Sequence, residues 1–188
     1  MSTFCEGEEL DAHEENLCGY PKGGIPSIAV LKTGYKDHIT DFTNATQWEA
    51  AIAAGKAVIA KNLKAELAEP SEVTGESVTG CGQPDTVVDG HDYDFAIIDF
   101  NVATPANPGN DTYINQLNKG TFAGVAFYNC DTDAIRVYEG RVNFSARVVI
   151  PATDREKQRY LYNAKWYSPV EQGLPVLYAA PEGIFVTV

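Results

Sequence analysis

The sequence predicts one mainly β domain, an antiparallel β-sandwich or a partly open barrel with two short helices. Ten Tyr, eight Phe and runs of Val and Ile favour extended structure. Roughly seven or eight apolar or alternating stretches are separated by turn residues, and two stretches have a helical pattern. A chain of 188 residues can bury one sizeable core and does not need a second domain.

Residues 1–24 are predicted to form an acidic N-terminal arm that precedes the domain at 25–188. Six carboxylates come before the first cation, Lys22, and apolar periodicity is nearly absent. In an isolated monomer such a segment is expected to be solvated, whereas in an assembly it is expected to lie across a neighbour. No secretion signal and no run of ~20 apolar residues is found, so we expect a cytoplasm-like compartment and no membrane partner.

The first elements of the domain are predicted to be a strand, a helix and a second strand. Ile25–Leu31 is almost continuously apolar and favours a strand. Thr46 and Glu49 fit a capping box, and Gly55 stands where a helix C-terminus favours positive φ. Residues 57–69 fit both a four-residue period and strict alternation, and we favour a long strand.

Residues 71–91 are predicted to form a protruding loop or an extended β-arm. They are rich in Gly, Ser, Thr and acidic residues and poor in large apolar side chains. Loops of such length are uncommon inside a compact domain unless they serve a function. We therefore expect residues 71–89 to contact a neighbouring subunit.

The C-terminal half is predicted to contain a second helix followed by antiparallel strands. A strand at 93–102 is expected to place Ala96 and Phe100 on one apolar face. Asp111 is expected to cap a helix at 111–119. The remaining strands are predicted, in chain order, at 122–129, 134–139, 142–150, 159–167, 174–179 and 184–188.

Negative charge is concentrated in one half of the chain and arginine in the other. Residues 1–100 contain 18 Asp and Glu against 6 Lys, whereas residues 101–188 carry 8 charges of each sign. We predict a subunit interface in which the arginines pair with a neighbour's carboxylates, the alternative being ion pairs within the same sheet. A net charge of −12 opposes binding to nucleic acid. The predicted interface residues are Arg136, Arg141, Arg147, Arg155 and Arg159.

The cysteines do not form a recognisable metal site. Cys5, Cys18, Cys81 and Cys130 are widely spaced and contain no CxxC pair, so free thiols are expected. A zinc site made by Cys5, Cys18 and the intervening His13 is the less favoured alternative. No cofactor is predicted.

The densest group of potential metal ligands lies between residues 85 and 94. Calcium prefers oxygen-rich loops of this kind, but the spacing lacks the glycine and the closing glutamate of an EF-hand. The group is more typical of a solvated turn, and its members are weak metal candidates. These residues are Asp85, Asp89, His91, Asp92 and Asp94.

None of the three histidines stands in a recognisable catalytic context. His13, His38 and His91 are far apart in sequence, and none neighbours a nucleophile motif such as GxSxG. Glycine-rich stretches also lack the spacing of a phosphate-binding loop. We assign no catalytic residue and expect the chain not to be an enzyme.

The order of elements resembles that of the small β-sandwich proteins that form tail tubes and head-to-tail rings in tailed bacteriophages. The resemblance covers residues 25–188: a strand, the helix TQWEAAIAAGK, a long hairpin arm, a second helix and a closing antiparallel sheet. Length and texture also resemble virion proteins of crAss-like phages. The resemblance carries no residue-level motif.

This resemblance implies a non-enzymatic subunit of a tail, collar or connector ring, located in the virion and assembled in the host cytoplasm. It implies neighbouring virion proteins as partners and a lumen whose acidic lining lets DNA pass without binding it. One alternative is a capsid decoration or head-fibre protein. Another is a carbohydrate-binding β-sandwich that uses Tyr162, Trp166 and Tyr167 as a stacking platform, although alternation places Tyr162 and Trp166 together on a side that favours core.

Overall fold

A computed structural model describes residues 25–78, 84–103, 105, 109–129, 132–152, 157–169 and 172–185. The predicted arm at 1–24 and all four cysteines lie outside these residues. Two helices, eight strands and one 3₁₀ turn follow one another in the described part. In chain order they are β1 (Ile25–Leu31), the 3₁₀ turn (Tyr35–Asp37), α1 (Ala45–Ala53), β2 (Ala57–Leu67), β3 (Ser71–Val78), β4 (Pro84–Asp99), α2 (Gly109–Lys119), β5 (Thr121–Asn129), β6 (Ala134–Val149), β7 (Arg159–Pro169) and β8 (Val176–Ala179).

Six of the strands form a closed antiparallel barrel in the order β1-β2-β4-β7-β6-β5, with β5 returning to β1. The prediction of a mainly β fold with two helices is confirmed, but a sandwich is wrong. Closure depends on β2, because its residues 57–65 pair with β1 and its residues 63–67 pair with β4. Asn62 adopts φ 60° near the point where β2 changes partner, a conformation that asparagine tolerates better than most residues.

Apolar side chains form two separate cores, one inside the barrel and one outside it. Alternation sends Ile28 and Val30 of β1 into the barrel and Ala29 and Leu31 into the outer core, which explains the continuous apolar run of this strand. The outer core is covered by α1, whose Trp48 is buried among residues of β1, β5 and β6. β1 is therefore buried on both faces.

The face of β4 that carries Ala96 is not the face that lines the barrel interior. Phe95 and Ile97 point into the barrel core, whereas Ala96 is exposed and Phe100 is 47% exposed. Both faces of this strand are apolar in sequence, so alternation alone does not choose between them. The larger pair, Phe95 and Ile97, fills the interior.

Both helices begin earlier than predicted. Asn44 caps α1, since its Oδ1 accepts a hydrogen bond from the Gln47 amide at 3.3 Å, and Thr46 lies inside the first turn. α2 begins at Gly109, so Asp111 is in its first turn instead of at its cap. There its carboxylate accepts a hydrogen bond from the Tyr160 hydroxyl at 2.5 Å, which joins α2 to β7.

The strand predicted at 184–188 is not formed by its two described residues, Ile184 and Phe185. β8 pairs with residues 134–137 of β6, and the following residues Ile184 and Phe185 turn into the outer core. Phe185 packs edge-on against Trp48, with ring centroids 5.1 Å apart. The end of the chain thus closes the outer core together with α1.

Candidate functional site

The residues predicted as a loop or β-arm form a two-stranded hairpin. β3 pairs with residues 84–92 of β4, whereas β7 pairs with residues 90–99. In the described part of the chain, residues 84–89 thus pair with β3 and with no barrel strand. At about 3.3 Å per residue, this outer part extends roughly 20 Å beyond the barrel.

Several contacts fix the base of the hairpin to the barrel. The Tyr167 hydroxyl donates to the Asp89 carbonyl at 3.0 Å, and the Tyr138 hydroxyl donates to the Tyr167 carbonyl at 2.8 Å. Gly90 is required where β4 meets β7, because a Cβ there would lie 2.5 Å from the Ser168 carbonyl oxygen. The hairpin therefore leaves the barrel in a defined direction.

The hairpin has an open edge and exposed carboxylates. Among the described residues, β3 pairs with β4 and its other edge has no strand partner. Glu72, Asp89 and Asp92 are exposed, and none of them forms an ion pair within the described part of the chain. Unpaired strand edges are ready templates for association.

The described side chains among the weak metal candidates do not gather into a metal site. Asp92 and Asp94 lie on one face of β4 and His91 on the other, and the side chain of Asp85 is outside the described part. Asp94 is already engaged, since Oδ2 lies 3.0 Å from Lys165 Nζ and Oδ1 accepts from Asn163 Nδ2 at 3.0 Å. The described residues contain no group of three potential metal ligands.

The predicted interface arginines fall into two environments. Arg136 is exposed and donates to the Pro175 carbonyl at 3.2 Å, and Arg159 is half-buried and donates to the Lys157 carbonyl at 3.4 Å. These two guanidiniums donate to backbone carbonyls of the same chain and not to carboxylates.

The other two described arginines, Arg141 and Arg147, lie on the outer face of β6. Alternation with the buried Val142 and Phe144 directs them to solvent, and both are exposed. Neither forms an ion pair with a described residue. Arg155 lies outside the described residues.

A buried polar cluster at the α2 end of the barrel has no counterpart in the sequence-based prediction. Asp99 is 4% exposed, and its Oδ1 accepts hydrogen bonds from the amide and the side chain of Asn101 at 2.8 and 2.7 Å. The hydroxyls of Tyr113 and Tyr162 are buried without a hydrogen-bond partner. Burial raises the pKa of both, and the nearby Asp99 charge raises it further.

An open cleft of about 340 Å³ adjoins this cluster and is lined in part by Asp99, Asn101, Asn110 and Tyr113. The alternation of β4 could have placed Asp99 inside, because it follows Phe95 and Ile97 with the same parity. Alternation predicts an inward Tyr162 on β7, but nothing in the sequence places Tyr113 of α2 beside it. The cluster connects β4, α2 and β7 and shows no nucleophile paired with a base.

The proposed carbohydrate-stacking residues are mostly core. Tyr162 is 0% and Trp166 is 3% exposed, and Trp166 stacks on Tyr93 with ring centroids 5.1 Å apart. This confirms that the shared side of Tyr162 and Trp166 is the barrel interior. Of the three, Tyr167 has an exposed ring, so they form no platform.

No described helix has the length and apolarity that a membrane crossing requires.

No protein-family model, curated protein or solved structure matches the chain.

Proposed function

We propose that the protein is a non-enzymatic structural subunit of a bacteriophage virion that assembles into a ring in the tail, collar or connector. The β3–β4 hairpin carries this proposal. It is anchored at its base, extends roughly 20 Å from the barrel and has an open edge, which is the geometry of an arm that reaches a neighbouring subunit.

The closed barrel suits the same role, because its interior is filled by side chains and the molecule can act as a rigid unit. A heterologous contact between an arm and the next copy generates a ring when the rotation closes. In such a ring, the excess of carboxylates in residues 1–100 would favour passage of DNA over its retention.

Native mass spectrometry of the purified protein tests the proposal. We expect a single closed oligomer of more than three copies. A stable monomer at all concentrations would contradict a ring, and a trimer that binds a capsid surface would favour the decoration or head-fibre alternative.

A shortened hairpin tests the role of the arm. Thr74 and Val88 are paired, so residues 75–87 can be replaced by an Asn-Gly turn that closes the remaining strands. We expect a folded monomer, with unchanged circular dichroism, that no longer assembles. The control is Ile52→Ala, an exposed position on α1 that leaves the hairpin intact, and it should assemble as wild type does. If the shortened protein still forms the wild-type oligomer, the hairpin is not the assembly arm.

A further inference from the structure

We propose that the outer face of β6 is the surface that receives the hairpin of a second copy, through Arg141 and Arg147. The inference rests on the proposed function, since it names the partner surface of the same arm. It narrows the predicted arginine interface to two residues whose guanidiniums are exposed and form no ion pair among the described residues.

The hairpin has the charge that this surface needs. Residues 69–94 contain seven acidic residues and no Lys or Arg. The Asp89 carboxylate lies over Gly75, on the side of the hairpin that also carries Ser71 and its partner Asp92. Asp89 and Asp92 are exposed on this side and form no ion pair with a described residue.

A hairpin cannot reach β6 of its own chain without bending. Its outer strands continue β4 in a direction fixed by the bulge between Val73 and Thr74 and by the contacts at its base. β7 separates β4 from β6 in the barrel. Among the described residues, Asp89 and Asp92 of the hairpin and the two arginines of β6 therefore form no ion pair within a chain, but the two sets are complementary between copies.

The contact is heterologous, because the acidic hairpin of one copy meets the surface of β6 that carries Arg141 and Arg147 on the next. Such contacts propagate in one direction and form rings or tubes instead of two-fold dimers.

Charge exchange between two variants tests the pairing. One variant is Asp89→Lys with Asp92→Lys, and the other is Arg141→Glu with Arg147→Glu. We expect each alone to associate at least about tenfold more weakly than wild type, because every contact becomes repulsive. Mixed in equal amounts, the two variants should assemble again, since an alternating arrangement restores attraction at every contact. Native mass spectrometry would show the mixed oligomer.

The control is Lys56→Glu with Lys64→Glu. Lys56 immediately precedes β2 and Lys64 lies on it, across the barrel from β6. It should assemble as wild type does, and Arg141→Gln with Arg147→Gln provides a milder variant if the glutamate variant fails to fold. Salt alone is a poorer test, because it also screens the repulsion between copies of net charge −12.

Three outcomes are distinguishable. Rescue on mixing supports the pairing. A wild-type oligomer that persists in both reversal variants, or in the glutamine variant, overturns this inference and leaves the proposed function standing. A wild-type protein that stays monomeric overturns both.

Discussion

The free energy of unfolding is expected to fall steeply as the pH rises above 10, because several buried tyrosines resist ionisation. Tyr35, Tyr160 and Tyr162 are each at most 2% exposed, and the pKa of each lies above the ordinary value of 10.0. Each such group contributes at most about 1.4 kcal/mol per pH unit, and the pKa values of Tyr113 and Tyr138 are raised in the same direction.

Burial is the main cause of the raised pKa at all three tyrosines, because a phenolate loses hydration inside the protein. A hydrogen bond from Tyr35 to Glu139 and one from Tyr160 to Asp111 raise the pKa of each tyrosine further. Each carboxylate accepts a hydrogen bond that only the protonated phenol can donate. The folded state therefore keeps protons that the unfolded chain releases above pH 10. Stability is fully present below that pH and decreases as the pH rises through the folded-state pKa values.

Urea unfolding at several pH values between 8 and 11.5 measures this slope. Tyr162→Phe should reduce the slope by up to about 1.4 kcal/mol per pH unit and raise stability at neutral pH by about 1 kcal/mol, because it removes a buried hydroxyl without a partner. Phe127→Leu is the control, since it weakens the same core without removing a titratable group. An equal slope in wild type and Tyr162→Phe would show that Tyr162 ionises without unfolding the barrel.

Much of the fold could be predicted from local pattern. β1, the long strand β2 and the strand that carries Tyr162 and Trp166 have clear apolar runs or alternation, and the structure places them as predicted. Barrel closure could not be predicted, because it depends on β2 changing partner from β1 to β4, a tertiary event without a local signal. Strand patterns alone therefore fit sandwiches and barrels equally well.

The candidate site, like the fold, could be predicted only in part from the sequence. Composition identified residues 71–91 as poor core material, and in the structure residues 71–78 pair with residues 84–92 in two strands. Composition could not show that Arg141 and Arg147 differ from the other arginines. Arg136 and Arg159 form hydrogen bonds with backbone carbonyls, and these depend on tertiary packing. The polar cluster around Asp99 was missed for the same reason, since its members lie on three different elements.

Trp48→Ala is expected to destabilise the protein by about 3–5 kcal/mol. Trp48 is 0% exposed, packs edge-on against Phe185 and donates its indole N–H to the Phe42 carbonyl at 2.9 Å. Its removal opens a cavity in the outer core and leaves that carbonyl without its donor. Ile52→Ala, on the same helix but 40% exposed, is the control and should cost less than about 1 kcal/mol.

This substitution also tests whether the two cores unfold together. The chain contains two tryptophans, Trp48 in the outer core and Trp166 inside the barrel, so Trp166 is the remaining fluorescence reporter in the variant. Because β1 is buried on both faces, loss of the outer core exposes a strand of the barrel, and we expect the Trp166 signal to shift to lower urea in a single transition. An unchanged Trp166 midpoint would mean that α1 and the C-terminal segment form a layer that the barrel does not need.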